Sequence, residues 1–183
     1  KSLIILIIMD KNFIIENTKI GFGEPCFIIA EVGLAHDGSL GMAHSYIDAV
    51  AKTGADAIKF QTHIASAESS DKELFRVKVF PQDSTRYNYW ERTAFSEEEW
   101  YGLKEHASEK DLIFLSSPFS IEAVKLLRRI DISAWKIASG ETNNVLLINE
   151  IVKGKEPVFL SSGMSYVKEL EASLEILKKR DVP

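Results

Sequence analysis

Five short apolar runs, each followed by a segment with apolar residues at three- and four-residue spacing, set the rhythm of the chain from residue 27 onward. The runs predict strands over Phe27–Gly33, Ala57–His63, Leu112–Pro118, Ala134–Gly140 and Pro157–Gly163. The intervening segments "LGMAHSYIDAVAKTG", "SEEEWYGLKEHASEK", "SIEAVKLLRRI", "NVLLINEIVKG" and "VKELEASLEILKKR" predict amphipathic helices. Near-continuous apolar strands alternating with such helices mean a parallel sheet covered by helices, an α/β fold. Ser96 with Glu99 has the spacing of a capping box, and Gly54 and Gly154 stand where helices should stop.

A doubly wound sheet and a (β/α)8 barrel both begin this way, and the polar residues separate them. Glu31, Lys59 with Gln61, Ser116 with Ser117, Lys136 with Ser139 and Glu141, and Ser161 with Ser162 fall at or just past the C-terminal ends of different strands. A doubly wound sheet gathers its chemistry at one switch point, whereas a barrel spreads it over many strand ends. The pattern favours the (β/α)8 TIM barrel. A full barrel takes roughly 250 residues, so the chain is expected to supply about the first five β/α units, over 25–183, after an extension over 1–24. One connection breaks the rhythm: residues 64–96 are too long and too aromatic for a plain linker. Its Arg86, Tyr87, Tyr89 and Trp90 either line a site or form a small satellite core.

Composition narrows the function. The 183 residues are 45% hydrophobic and 27% charged with a net charge of -5, and no block of Lys or Arg supports nucleic-acid binding. The apolar run Leu3–Met9 is too short to span a membrane and lacks a cleavage site, so the natural start is expected at Met9. A single cysteine, Cys26, is expected to be a buried, inert thiol, which fits a cytoplasmic setting.

Two lysines at the strand ends of a barrel, with Thr62 and several serines, would form a cationic, hydroxyl-rich mouth suited to phosphate or carboxylate. Glu31 at a buried strand tip offers a general acid or base, Glu141 a second carboxylate, and a salt bridge from Glu31 to a lysine is the structural alternative. His36 and Asp37 either touch substrate or cap the next helix. Metal ligation by His63 is open, but no pair of histidines has a ligand spacing, so no metal ligand is assigned within this chain.

The blocks "FIIAEVGLAHDG", "GADAIKFQTH", "LSSPFS", "WKIASGETNN" and "FLSSGM", in this order, resemble the N-terminal barrel portion of the sialic acid synthase (N-acetylneuraminate synthase) family. The resemblance implies a barrel that condenses phosphoenolpyruvate with an N-acylated aldose, N-acetylmannosamine or a related sugar, giving a nonulosonic acid and phosphate. It implies that Lys59, Ser117, Lys136, Ser139 and one of Ser161 or Ser162 hold phosphoenolpyruvate. Gln61 and Glu141 would face the sugar, and Glu31 would transfer a proton. A divalent metal, Mn2+ or Mg2+, would polarise the aldehyde from ligands outside this chain, and an antifreeze-like domain of a partner subunit in a homodimer would reach the site. The family pattern Asn-His-Asn-Gly is Ala35-His36-Asp37-Gly38 here, which leaves the sugar open. The competing expectations are a pyruvate aldolase with a Schiff base on Lys136 and a non-catalytic barrel fragment whose exposed edges another chain must cover.

Overall fold

The computed structural model describes residues 12–75 and 80–183; the apolar run before Met9 lies outside them. A hairpin, β1 (Phe13–Ile15) with β2 (Thr18–Ile20), comes first. Five parallel strands follow, β3 (Ile29–Gly33), β4 (Ala57–Thr62), β5 (Ile113–Pro118), β6 (Trp135–Ile137) and β7 (Val158–Leu160). Their order in the sheet is β3-β4-β5-β6-β7, so every strand lies beside its neighbour in sequence and no reversal creates a switch point among them. The helices between them are α1 (Leu40–Val50), α4 (Glu97–Glu109), α5 (Ile121–Arg129) and α6 (Val145–Ile151), with α7 (Val167–Lys179) after β7.

Alternation along the strands sorts their residues onto two faces. Ile58, Phe60, Phe114, Trp135 and Ile137 pack against Ile47, Trp100, Leu103, Leu127, Ile148 and Leu177 of the helices, which is the main core. The opposite face carries a smaller apolar layer, Ala57, Ile113, Leu115 and Ala134, against which Ile15 of the hairpin is buried. Thr62 and Ser116, expected at the polar mouth, belong to the helix side: both are fully buried and their hydroxyls pair at 2.7 Å. One step along each strand reverses the face, so Gln61 and Ser117, paired in register, remain on the inner side.

Most helices begin directly after a strand-end loop on a side-chain cap. Ser39 accepts from Met42 N, Ser120 from Ala123 N and Asn144 from Leu147 N. Ser96 and Glu99 form the expected reciprocal box. Gly54 takes the left-handed conformation beyond α1 (φ +79°), whereas α6 stops at Ile151 and Gly154 plays no such part. Cys26 is exposed, contrary to expectation, because the strand starts at Ile29 and the apolar residues before it lie outside the ladder. The long connection is not irregular throughout: it contains α2 (Ala65–Glu68) and α3 (Arg86–Thr93).

Candidate functional site

The inner face turns from apolar to charged as the strands approach their C-terminal ends. Glu31 of β3 is in register with Lys59 of β4, and the two form an ion pair. The Lys59 side chain is 8% exposed and that of Glu31 49%, so the pair is buried on the lysine side only. Lys59 Nζ also donates to Ser117 Oγ at 3.4 Å. Lys136 of β6 is half-buried and donates to its neighbour's carbonyl, Ile137 O, at 3.0 Å. Burial pushes its pKa below the usual lysine value, the like charge of Lys59 adds to the effect, and Glu31 opposes it. Two lysines and one carboxylate therefore share one field with a surplus positive charge, the electrostatic requirement for a small anion.

The remaining strand-end residues form a rim. Ser139 and Glu141 lie in a single 3-10 turn after β6, where Glu141 accepts from Asn144 Nδ2 at 2.7 Å. Ser161 follows β7, half-buried, and its carbonyl accepts from Thr142 Oγ1 at 2.8 Å, which ties this rim to the turn after β6. Ser162 is exposed beside it. Among the described residues, Ser139, Glu141, Ser161 and Ser162 make no hydrogen bond to the charged group.

Beside this floor lies a cleft of about 830 Å³, lined by His63, Arg86, Trp90, Phe119 and Glu141 among others. An adjoining cleft of about 500 Å³ adds Gln61, Tyr89 and Ser139. The wall is α3. Arg86 stacks over Trp90 with Cζ 4.4 Å from the ring centre and donates to Glu73 at 2.8 Å. Tyr89 stacks on Phe80 at 4.4 Å, so the long connection both lines a site and builds a satellite core. Tyr87 faces a separate cleft with Phe95 and Trp100.

This wall is held from behind. Arg92 grips the buried Asp83 through Nε and Nη2 at 3.0 and 2.8 Å and reaches the loop after β3 through Asp37 Oδ1 and Asp37 O, both at 2.9 Å. Gly38 lets the two backbones touch, since at φ +82° a methyl group there would stand 2.4 Å from Arg92 O. Asp37 is thus a partner of the wall rather than a helix cap, and Ser39 is the cap. His36 is buried against Phe95 at 4.6 Å, with Nδ1 accepting from Gly38 N at 3.1 Å. Burial lowers its pKa to about 4, which keeps the ring neutral.

His63, a metal-ligand candidate from the sequence, has other partners here. Its ring lies between Trp90 (4.9 Å, 8°) and Phe119 (4.1 Å, 14°), and its nitrogens meet Glu68 and Gln61. Sequence alternation held the signal: Lys59, Gln61 and His63 are two apart and so share the inner face. Glu68 and Phe119 carried no such signal. Among the described residues, no group of three or more His, Cys, Asp or Glu could hold a metal ion, and no helix is long and apolar enough to cross a membrane.

The chain is 39% identical over 163 residues to pseudaminic acid synthase of Campylobacter jejuni, covering 87% of this chain and 48% of that protein. It is 32% identical over 161 residues to N,N'-diacetyllegionaminic acid synthase of Legionella pneumophila, covering 86% and 45%. The structure of N-acetylneuraminic acid (sialic acid) synthetase from Leptospira borgpetersenii in complex with citrate superposes with a TM-score of 0.82 at 31% identity, over 94% of this chain and 57% of that one. The chain spans about half the length of the curated relatives it matches. The NeuB family model matches residues 46–182, three quarters of the sequence, and the chain belongs to the NeuB family.

Proposed function

We propose that the complete protein condenses phosphoenolpyruvate with an N-acylated aldose, N-acetylmannosamine or a related sugar, to a nonulosonic acid with release of phosphate. The observation that carries this reading is the meeting of Lys59, Lys136 and Glu31 on three strands beside a cleft lined by aromatic and hydrogen-bonding groups. Family membership and relatives named as pseudaminic and legionaminic acid synthases support it. Residues 25–183 are then the first five units of a (β/α)8 barrel, with 1–24 as an extension. The unreversed strand order and the placing of α1 and α4 to α7 against one face of the sheet support that architecture. The protein would act in the cytoplasm as a homodimer. A divalent cation, Mn2+ or Mg2+, would take its ligands outside the described residues, among which no group of three or more His, Cys, Asp or Glu could hold one.

Each residue has a task in this reaction. Lys59 and Lys136, with Ser117, Ser139 and Ser161 or Ser162, take the carboxylate and phosphate. An anion arriving at Lys59 competes with Glu31 and releases that carboxylate to act as a base. The methylene carbon of phosphoenolpyruvate attacks the aldehyde carbon, the aldehyde oxygen takes up a proton, and water adds to the phosphate-bearing carbon, where the double bond has been spent. Glu31 accepts the proton that this water loses, and cleavage of the bond from that carbon to the phosphate oxygen frees phosphate, which carries off the proton of the new hydroxyl, and leaves the 2-keto acid. Gln61 and Glu141, on the cleft side, hold the sugar. Incubating the full-length protein with phosphoenolpyruvate and a panel of N-acyl aldoses tests this: phosphate release with a product of the summed mass less phosphate is expected, and no turnover with any sugar refutes it.

One observation favours a second reading. The lowered pKa of Lys136, half-buried beside Lys59, is the usual preparation of a Schiff-base lysine. Pyruvate with borohydride decides: stable mass addition at Lys136 selects the aldolase, and an unmodified Lys136 the synthase.

A further inference from the structure

We infer that His63 is a positioning residue that fixes which end of the Gln61 amide faces the reacting centre, and so selects oxygen acceptors on the sugar. This rests on the synthase reading and deepens it. His63 Nδ1 lies 2.8 Å from Glu68 Oε2, while the other Glu68 oxygen accepts from Ile64 N at 2.6 Å. A carboxylate only accepts, so Nδ1 carries a hydrogen. Nε2 lies 3.3 Å from Gln61 Oε1, an amide oxygen that likewise only accepts. Both ring nitrogens therefore donate.

The far end of the amide agrees. A methyl group at Gly33 would stand 3.2 Å from Glu31 Oε1 and 3.4 Å from Gln61 Nε2, so the amide nitrogen and the Glu31 carboxylate converge over a position that has no side chain. The reverse amide orientation would turn an oxygen toward that carboxylate and set two donors against each other at His63. With both nitrogens protonated the ring is a cation, balanced by Glu68, whose side chain is as buried as its own at 7% exposure. Trp90 and Phe119 cover its two faces, which adds cation–π attraction. Gln61 consequently offers N–H donors to the cleft, suited to a sugar carbonyl or hydroxyl oxygen. A neutral His63 would accept from the amide and turn its oxygen outward, favouring donors instead.

The experiment uses the full-length protein labelled with 15N-histidine near neutral pH. The His63 ring, assigned by the resonances lost in His63→Phe, is expected to show two protonated nitrogens; one unprotonated nitrogen overturns the inference. His63→Phe keeps an aromatic ring between Trp90 and Phe119 but removes both donors. It is expected to raise the sugar KM roughly tenfold, the worth of one charge-assisted hydrogen bond, with the KM for phosphoenolpyruvate within about twofold. Unchanged sugar kinetics in a folded His63→Phe also overturn it. Should that variant not fold, Glu68→Gln is expected to cost the ring one N–H and move the sugar KM the same way, and wild-type behaviour would overturn the inference. Wild-type protein that turns over no sugar refutes the synthase reading instead, and the ring spectrum then decides the inference alone.

Discussion

Arg92→Ala separates a fixed wall from a free loop. The guanidinium has two partners of unequal worth. Asp37 is exposed, its side chain 55% accessible, so the contact is screened by water and contributes below about 1 kcal/mol. The Asp83 side chain is 4% exposed and takes a bidentate grip, and that grip is the first cause of the rise in the Arg92 pKa. Removing the arginine strands a buried carboxylate, which costs about 3–5 kcal/mol in a fully buried pair. Arg92 itself is 31% exposed, so water can enter behind the truncated side chain, and about 2–3 kcal/mol is the expected loss. Urea unfolding of Arg92→Ala, Asp83→Ala and the double variant should give a coupling of about 2 kcal/mol, and the cycle with Asp37→Ala less than about 1 kcal/mol. A loss under about 1 kcal/mol for Arg92→Ala, or stronger coupling to Asp37 than to Asp83, would refute the assignment of a buried anchor. Hydrogen exchange along α3 should rise in the same variant if the wall is held there.

Three further outcomes follow from the geometry. The fold holds His36 neutral with a pKa of about 4 against 6.5 unfolded, so stability is complete above pH 6.5 and falls as pH drops toward 4, by about 3 kcal/mol. His36→Asn, which keeps an acceptor for Gly38 N, should lose that part of the acid slope in urea titrations, and equal slopes would contradict it. If Lys136 holds phosphoenolpyruvate as proposed, its depressed pKa means that capture weakens with rising pH before 10.5, and Lys59→Gln should move that limb upward by removing the like charge; a limb at or above 10.5 in the wild type refutes this. Gly38→Ala meets both a left-handed φ and the Arg92 carbonyl, whereas Gly54→Ala meets a similar φ in open space, so calorimetry should show about 1 kcal/mol for Gly54→Ala and at least about 2 kcal/mol for Gly38→Ala.

Periodicity made much of the molecule legible. Apolar runs located the five parallel strands, and steps of two along them put Glu31, Lys59, Gln61, Ser117 and Lys136 at the strand ends on the inner face. The same arithmetic, applied to one residue fewer or more, removes Thr62 and Ser116 to the helix side and brings His63 in. What was not legible depends on distant partners. The strands of the hairpin are three residues long, and its turn uses Glu16 at φ +53° rather than a glycine. Helix α3, "RYNYWERT", has no apolar period; Thr85 caps it, and Arg92 fixes it through residues 9 and 55 positions away. Cys26 misled because apolar neighbours imply burial only inside a ladder, and the ladder begins three residues later.

Charge at the tip of a buried strand is costly unless something answers it, and here the answer is itself the site. Glu31 satisfies Lys59, while burial, with the like charge of Lys59 added and Glu31 opposing, lowers the proton affinity of Lys136, so the floor brings two lysines to one carboxylate. An incoming anion answers that surplus. The neighbouring cleft is built differently: His63 is already engaged by Glu68, and Arg86 by Glu73 and Trp90. Such a wall can distinguish hydroxyl, amide and carbonyl groups by hydrogen bonds without attracting net charge. The two substrates of the proposed reaction differ in the same way, one a compact polyanion and the other a polyhydroxyl chain with an N-acyl group. Gln61, which lines the cleft and converges with Glu31 over Gly33, sits where the two must meet.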